Sequence, residues 1–381
     1  MILSDAAFSF SAYWVFVMSA AEYRSVLDEN GKPCMLSSRC MASAGVPVAF
    51  DCDGVLVDTS CSYDVAIAKT VETLLGMRYG RHKSIGNAAG RMIFQLRKTG
   101  AFNNDWDSTF AIMLFTSLAL LEEENGSAKE MDIAGRTEEL VGMFTSKPVT
   151  DACRDVVAYV GEIAGGPMAT YVTQLVEWLS YPGSPPESLL ATVFDELYYG
   201  EEGFAEFYGR PARYHSGEGL SGTEKLLFDR DLIEDLTRLS GRKPAIITGR
   251  PAKGTRMTLG KLLDLFDLDS SVFIGDGDAD PKSRSSAEAS ELRKPGPGAL
   301  LKCMKSMRCR SLIYVGNSAE DLQMSVAARK LGYTVWFAAV CGQGPDAQPA
   351  LDYFRSEGAD MIMQDISQLP YMLRRADSHG R

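Results

Sequence analysis

The sequence predicts an α/β protein with a doubly wound parallel sheet, Rossmann-like in its core, and an inserted all-α domain. Short apolar runs bounded by Gly, Asp or Ser are mostly followed by a loop and a helix-like stretch, which is the βαβ pattern. Because both faces of such a sheet are covered, its strands are expected to be almost continuously apolar. The runs that meet this description cover residues 46–50, 245–247, 271–274, 312–315, 334–338 and 360–363.

The stretch between residues 50 and 245 contains no comparable strand and is typical of a helical domain inserted into the sheet. Gly, Pro, Asn and Ser separate its helix-like segments. We therefore divide the chain into a core, residues 44–60 and 225–381, and a helical insert, residues 61–224. The predicted helices of the insert cover residues 63–75, 89–98, 109–124, 137–144, 151–163, 169–179 and 188–199.

The N-terminal segment, residues 1–43, fits none of these patterns and is predicted to be a poorly ordered extension or the product of an over-long gene start. Its apolar stretch, residues 6–21, contains three Ser and has no basic flank. It is too short for a membrane span, so we expect no membrane association. A cleaved organellar presequence is the alternative, although such presequences are poor in acidic residues and this segment contains several.

Composition and charge exclude some functions. The 381 residues include 39 Lys and Arg against 50 Asp and Glu, a formal net charge of −11, whereas nucleic-acid binding requires a basic face. We therefore expect no nucleic-acid partner. The eight Cys form no C-x-x-C pair, which favours a reduced, cytoplasmic protein.

The first polar motif, Asp51-Cys52-Asp53-Gly54, follows directly on the first predicted strand. Side chains alternate along an extended chain, so Asp51 and Asp53 project to the same side. Two carboxylates held together can divide the roles of nucleophile and general acid. Gly54 allows the chain to turn away sharply.

Two further motifs contain groups suited to an anion. Thr248-Gly249-Arg250 ends the second predicted strand, where a hydroxyl and a backbone N–H can bind an anionic oxygen. Arg250 is a candidate phosphate contact, with a solvated surface Arg as the alternative. Lys294 precedes a Pro/Gly turn and a helix, and a Lys there can neutralise a transferring phosphoryl group.

The fourth motif, residues 316–321, places oxygen ligands after another strand. Asn317 and Asp321 carry the amide and carboxylate oxygens that suit Mg²⁺. A helix N-cap is the alternative interpretation. In open α/β sheets ligands bind outside the carboxyl ends of the strands, so the four motifs are expected to converge.

This ordered set of motifs resembles the haloacid dehalogenase superfamily, subfamily IA, in which the helical insert stands where a C1 cap domain occurs. The resemblance implies an aspartyl-phosphate mechanism with Asp51 as nucleophile and Asp53 as general acid/base. It also implies that Thr248 orients the phosphoryl group, that Lys294 stabilises its charge, and that Mg²⁺ is the cofactor. The implied metal ligands are Asp51, Asp53 through its carbonyl oxygen, Asn317 and Asp321. The presence of Asp53 favours phosphate-ester chemistry over dehalogenation.

One residue departs from the family pattern, since the family usually has Asp where this chain has Asn317. The loss of a negative charge should weaken a metal site. Asp321 or Glu320 can compensate. A weakly active or inactive ligand-binding relative is therefore kept as an alternative.

Within the insert, the connector 100–109 combines amides, acids and an indole. It is similar to a segment of an uncharacterised subgroup of C1-capped proteins, as are residues 194–200 and 217–220. Asn104, Asp105 and Trp106 are candidate substrate-binding residues, with Trp106 as a wall of the site. The alternative is an N-cap followed by an indole anchored in the core of the insert.

The predicted function is a Mg²⁺-dependent phosphatase that hydrolyses a small phosphorylated metabolite. A phosphomutase or phosphotransferase with the same intermediate is the main alternative, because the four motifs do not distinguish the acceptor. Gly249 and Arg250 are assigned to substrate binding together with the insert residues. The protein is expected to be a monomer or a homodimer.

Overall fold

Eight strands form the central sheet, and six of them run parallel to one another. The structure is a computed structural model that describes residues 22–42, 44–80, 84–102, 104–124, 132–276, 291–342 and 347–377. The strands, numbered in chain order, are β1 (Tyr23–Leu27), β2 (Pro33–Ser37), β3 (Val48–Phe50), β4 (Val57–Asp58), β5 (Lys225–Leu226), β6 (Ala245–Thr248), β7 (Val272–Phe273), β8 (Ser311–Gly316), β9 (Thr334–Val340) and β10 (Met361–Met363).

The strand order of this sheet is β1-β2-β10-β9-β8-β3-β6-β7. All six strands predicted from the sequence lie in it, so the predicted fold class is confirmed. The three residues of β3 are fully buried between β8 and β6. Burial on both faces explains why these strands are apolar runs without alternation.

Helices cover both faces of the sheet. One hydrophobic cluster includes side chains of α8 (Arg230–Ser240) and α13 (Leu369–Asp377). A second cluster, on the other face, includes α10 (Gly298–Ser306), α11 (Ala319–Lys330) and α12 (Ala347–Ser356). A further core helix, α9 (Ala252–Leu259), follows β6.

The helical insert has a hydrophobic cluster of its own, separate from the two clusters on the sheet. All seven helices predicted between residues 61 and 224 are present. Six differ from the prediction by a few residues at their ends, and the last continues nine residues beyond residue 199, across a kink at Gly200. They are α1 (Tyr63–Tyr79), α2 (Gly86–Lys98), α3 (Asp105–Glu124), α4 (Ile133–Thr145), α5 (Ala152–Ala164), α6 (Gly166–Leu179) and α7 (Leu189–Tyr208).

A two-stranded sheet marks both junctions between the core and the insert. β4 lies before α1 and β5 lies after α7, and the two strands pair antiparallel through Val57 with Leu226 and Asp58 with Lys225. Each has only two residues, too few for a detectable pattern. The prediction of no strand in this stretch therefore overlooked this short pair.

The prediction for residues 1–43 was wrong for part of that segment. β1 and β2 form an antiparallel hairpin, and β2 pairs antiparallel with β10 at the edge of the sheet. Cys34 is buried there, and the Tyr23 hydroxyl donates to the Ala359 carbonyl oxygen at 2.7 Å. The strands join the sheet because they cover its edge strand and bury apolar side chains against it.

The apolar stretch 6–21, considered above as a presequence or span, lies outside the described residues. Within the part of the chain that the structure describes, none of the helices combines the length and the apolar character that crossing a membrane requires.

Candidate active site

Three neighbouring parallel strands bring three of the predicted motifs to one edge of the sheet. Asp51 follows β3, Thr248 ends β6, and Asn317 follows β8. β3 lies between the other two strands, with Phe50 opposite Val315 and Ala49 opposite Ala245. The register therefore places these strand ends side by side, as the sequence analysis expects for an open α/β sheet.

The remaining motif, that of Lys294, meets the first motif through an ion pair. The Lys294 ammonium lies 2.9 Å from Oδ1 of Asp51 and 2.7 Å from Oδ1 of Asp321. Burial lowers the pKa of Lys294, but the two carboxylates outweigh it and raise that pKa well above its ordinary value. Lys294 is therefore held as a cation between two carboxylates.

Asp321 has both carboxylate oxygens occupied. Its Oδ1 accepts from Lys294 and, at 2.8 Å, from the Tyr314 hydroxyl. Its Oδ2 accepts from the backbone N–H of Asn317 and from the N–H and hydroxyl of Ser318, the N-cap of α11. Burial raises its pKa, but Lys294 and these donors outweigh that effect and lower it. Its contacts orient Lys294 and close a capping box.

Asp51 keeps one carboxylate oxygen without a hydrogen-bond donor among the described residues. Its side chain is 11% exposed. Burial raises its pKa to about 7, Lys294 opposes this rise, and Asp321 and Asp53 reinforce it. A buried carboxylate with a free oxygen beside a fixed cation is suited to nucleophilic attack.

Asn317 packs against the turn after Asp53. A Cβ placed on Gly54 would lie 2.1 Å from the Asn317 side-chain nitrogen, and Gly54 has a φ of +72°. Only glycine combines this backbone conformation with so close an approach. The amide group of Asn317 therefore lies beside the backbone of the Asp53-Gly54 turn, near the strand end that carries Asp51.

Arg250 is a buried ion-pair residue, not a solvated surface Arg. Its guanidinium lies 2.6 Å from Asp53 and 3.0 Å from Glu224, with only 3% of its side chain exposed. It also donates to the Thr258 hydroxyl at 2.8 Å. Because its donors are taken by the protein, its contacts orient Asp53.

Glu224 was missed by the sequence analysis. Its carboxylate, 1% exposed, accepts from Arg250 twice at 3.0 Å and from the hydroxyls of Ser62 and Tyr198 at 2.8 Å. Ser62 precedes α1 and Glu224 precedes β5, so the carboxylate connects both junctions of the insert. No local motif surrounds Glu224, since its partners are distant in the sequence.

A cavity of about 380 Å³ lies between the core and the insert, and residues from all four motifs line it. The core contributes carboxylates and cations, while the insert contributes mainly aromatic rings and further carboxylates. The core residues that line it are Asp51, Asp53, Gly249, Arg250, Pro251, Ile274, Gly275, Arg293, Lys294, Ser318 and Glu320. The insert residues that line it are Tyr63, Ala101, Asn104, Asp105, Trp106, Asp107, Phe194, Asp195, Tyr198, Tyr199, Phe207 and Tyr208.

The connector in the insert lies both at the cavity and at the start of α3. Asn104, Asp105 and Trp106 line the cavity. The Asn104 side chain also accepts from the Trp106 N–H at 2.8 Å at the start of α3, and Asp105 pairs with Arg97 at 2.8 Å. The Trp106 indole donates to Asp195 at 3.0 Å. The connector is thus both a helix start and part of the cavity wall.

Thr248 is fully buried, and its hydroxyl accepts from the backbone N–H of Arg250 at 3.1 Å. Gly249 lines the cavity. Of this motif, the structure therefore presents Gly249 to the cavity and uses Thr248 to fix the turn that follows β6.

Candidate metal ligands of the described residues are carboxylate, amide and backbone oxygens. No group of three His, Cys, Asp or Glu side chains within the described ranges is arranged to hold a metal ion. The carboxylate of Asp51, the backbone carbonyl of Asp53 and the amide oxygen of Asn317 come from adjacent strand ends. Glu320, which also lines the cavity, has its pKa raised to about 7 by burial.

Comparisons with known proteins show a similarity of fold. No protein-family model and no curated protein matches this chain. An X-ray structure of a Northeast Structural Genomics Consortium target has a TM-score of 0.60 at 18% identity, over 88% of this chain and 100% of that chain. This likeness shows that the α/β architecture is shared, and at such identity it concerns the fold alone.

Two further solved structures are less similar. Phosphatase Tt82 from Thermococcus thioreducens has a TM-score of 0.49 at 23% identity, over 80% of this chain and 98% of that chain. A protein from Thermotoga maritima proposed to be a beta-phosphoglucomutase has a TM-score of 0.37 at 15% identity, over 86% of this chain and 98% of that chain.

Proposed function

We propose that this chain hydrolyses a small phosphate monoester through an aspartyl-phosphate on Asp51. The observation that carries this proposal is the pairing of Asp51 with Lys294 inside a cavity that Asp53 also lines. A nucleophile, a fixed cation and a second carboxylate are the groups that phosphoryl transfer to a protein requires.

In the first step the free oxygen of Asp51 attacks phosphorus, and the bond from phosphorus to the ester oxygen breaks. Asp53 donates a proton to the departing alkoxide. Lys294 neutralises charge on the phosphoryl oxygens and stays in place because Asp321 holds it at 2.7 Å. In the second step Asp53 takes a proton from water, whose oxygen attacks phosphorus and releases inorganic phosphate and Asp51.

Asp53 depends on Arg250 for its orientation. The guanidinium lies 2.6 Å from its carboxylate, and Glu224 holds the other side of the same guanidinium. The position of the acid/base group is thereby connected to the junctions of the insert. This arrangement restricts Asp53 to one side of the cavity, as general acid catalysis requires.

Mg²⁺ fits the oxygen donors at the strand ends, since this ion prefers few protein ligands together with waters and phosphate oxygens. Asp51, the Asp53 carbonyl oxygen and Asn317 would hold it, whereas Asp321 has no oxygen left for it. When bound, the ion supplies positive charge to the phosphoryl oxygens.

A cavity of about 380 Å³ lined by both the core and the insert suits a small ester better than a macromolecule. The acceptor is proposed to be water. A sugar hydroxyl in the same position would give a phosphotransferase.

The test is phosphate release from a panel of phosphorylated metabolites with and without Mg²⁺. Wild type should release phosphate only with Mg²⁺, and Asp51→Asn should lose activity by at least about 10³-fold. Glu202→Gln, an exposed change on α7, is the matched control and should retain full activity. Retention of activity by Asp51→Asn would contradict the proposal, and transfer to an added alcohol in place of water would identify a transferase.

A further inference from the structure

The insert side of the cavity has a composition that phosphate binding does not explain. Seven aromatic side chains line it, and they are Tyr63, Trp106, Phe194, Tyr198, Tyr199, Phe207 and Tyr208. Several of these rings pack against one another. The ring centroids are 4.6 Å apart for Tyr63 and Tyr198 and 4.8 Å apart for Tyr199 and Phe207. A nearly continuous aromatic wall therefore faces the phosphate-binding side chains.

Asp195 is a buried carboxylate in this wall. It is 4% exposed, lines the cavity, and accepts from the Trp106 indole at 3.0 Å and from the Tyr208 hydroxyl. No Lys, Arg or His of the described ranges forms an ion pair with it. Both its partners are neutral, so its charge is left uncompensated by the protein.

The other insert carboxylates in the cavity show what is unusual about Asp195. Asp105 has a cationic partner, Arg97, at 2.8 Å. Asp107, like Asp195, accepts only from neutral groups of the described residues, the Cys153 thiol and the Tyr181 hydroxyl. The wall thus combines two carboxylates without a protein cation and a set of π-faces.

Aromatic faces and carboxylates attract the same kind of ligand, a cation. Two rings of the wall already attract protein cations, since Arg250 lies 5.3 Å from the Tyr63 ring centroid and Lys253 lies 5.5 Å from that of Phe207. The rings of Tyr199 and Tyr208, which lie in this wall with Asp195, have no such cationic partner among the described residues.

We propose that this wall binds a cationic nitrogen, so that the substrate is a phosphate monoester of an amino alcohol or a methylated ammonium alcohol. The phosphate would lie against Lys294 and the nitrogen against Asp195 and the surrounding rings. The inference rests on the proposed function for the position of the phosphate. It assigns a substrate class and names Asp195 as the residue that selects it.

The experiment compares two esters of similar size, 3-aminopropyl phosphate and butyl phosphate, with kcat/KM measured for each. Wild type should prefer the cationic ester at least tenfold. Asp195→Asn should lower kcat/KM for the cationic ester by about 10- to 100-fold, the effect of losing a charge-assisted hydrogen bond, and change that for the neutral ester less than threefold. Equal rates for both esters in wild type would overturn the inference and leave the phosphatase intact.

Binding separates the two proposals. Titration calorimetry of the same two esters on Asp51→Asn measures recognition without turnover. Tighter binding of the cationic ester would uphold the inference even if wild type hydrolysed neither ester, which would refute the proposed function. Equal binding of both esters would overturn the inference. Glu202→Gln, exposed on the same helix, is the matched loss of a carboxylate and should leave the preference unchanged.

Asp195 also orients Trp106 and Tyr208, so a structural role has to be distinguished. Tyr208→Phe removes one donor to Asp195 and keeps the ring and the charge. It should retain the preference for the cationic ester, whereas Asp195→Asn should lose it. If both variants reduced turnover of the two esters equally, Asp195 would only position its neighbours and the inference would fail.

Discussion

Glu224 should be among the costliest single carboxylates to neutralise in this protein. Its oxygens accept from Ser62, Tyr198 and Thr258 and twice from Arg250, all within 3.2 Å. Glu224→Gln keeps the size but replaces one oxygen by an N–H donor. That donor would face Arg250 or the hydroxyls, and the buried guanidinium would lose half of its compensating charge.

The expected magnitude follows from burial. The two side chains are 1% and 3% exposed, so solvent cannot replace the missing carboxylate. Removing one member of such a buried pair costs about 3–5 kcal/mol. With an unfolding entropy of about 2.1 cal/mol/K per residue, and with the whole chain unfolding cooperatively, the midpoint temperature of unfolding should fall by about 4–6 °C.

The assay is urea denaturation followed by circular dichroism, with thermal unfolding as a second measurement. Glu202→Gln, the exposed control, should change the free energy of unfolding by less than about 0.5 kcal/mol. The double variant Glu224→Gln with Arg250→Gln should lose less free energy of unfolding than the two single variants together. The reason is that neither charge of this pair then remains buried without the other. A loss below about 1 kcal/mol for Glu224→Gln would refute the reasoning.

Three further predictions concern the cavity and its strand ends. Burial raises the pKa of Asp195 from 3.8 to about 7, so the folded state binds this proton more tightly and loses stability as pH rises between these values. Since a tenfold change in proton affinity corresponds to about 1.4 kcal/mol, Asp195→Asn should gain up to about 4 kcal/mol relative to wild type between pH 4 and pH 8 in urea titrations. A pH-independent difference would contradict this. Gly54→Ala should cost at least about 2 kcal/mol of unfolding free energy, because its Cβ would lie 2.1 Å from Asn317 at a φ of +72°, whereas Gly249→Ala, with open space around it, should cost almost nothing. Asn317→Asp should lower the Mg²⁺ concentration for half-maximal phosphate release roughly tenfold, because it adds a carboxylate to the donors, and an unchanged concentration would remove Asn317 from the proposed ligands.

The strands could be predicted because they are apolar runs, and three of the four motifs directly follow such a run, whereas the Lys294 turn was placed beside them. In a parallel sheet the ends of such runs must meet, whatever the intervening sequence contains. The grouping of Asp51, Thr248 and Asn317 could therefore be predicted without knowledge of the insert. The hairpin of β1 and β2 was missed, although Asn30-Gly31 between two short runs is a hairpin signal. Its two strands pair antiparallel with each other and belong to no βαβ unit, the pattern that identifies the parallel strands.

The partners of Arg250 could not be predicted from its motif. Glu224 lies 26 residues away and Asp53 lies 197 residues away, so neither contact leaves a local pattern. The same holds for Asp195, whose segment was noted in the sequence without a role. Long-range ion pairs depend on how two elements pack, which residue spacing does not encode.

Two ionic networks of the same composition lie at the strand ends of the core. In one, Asp51 and Asp321 share Lys294, and in the other Asp53 and Glu224 share Arg250. With all groups ionised, each network has one negative charge in excess, which is consistent with the raised pKa of Asp51. A phosphate dianion entering beside them increases that excess, so its binding there is favoured by a divalent cation. At the insert side, the carboxylates of Asp195 and Asp107 give a second excess of negative charge, which a positive charge on the substrate would offset. One electrostatic argument thus connects the proposed Mg²⁺ at the strand ends with the proposed cationic nitrogen at the aromatic wall.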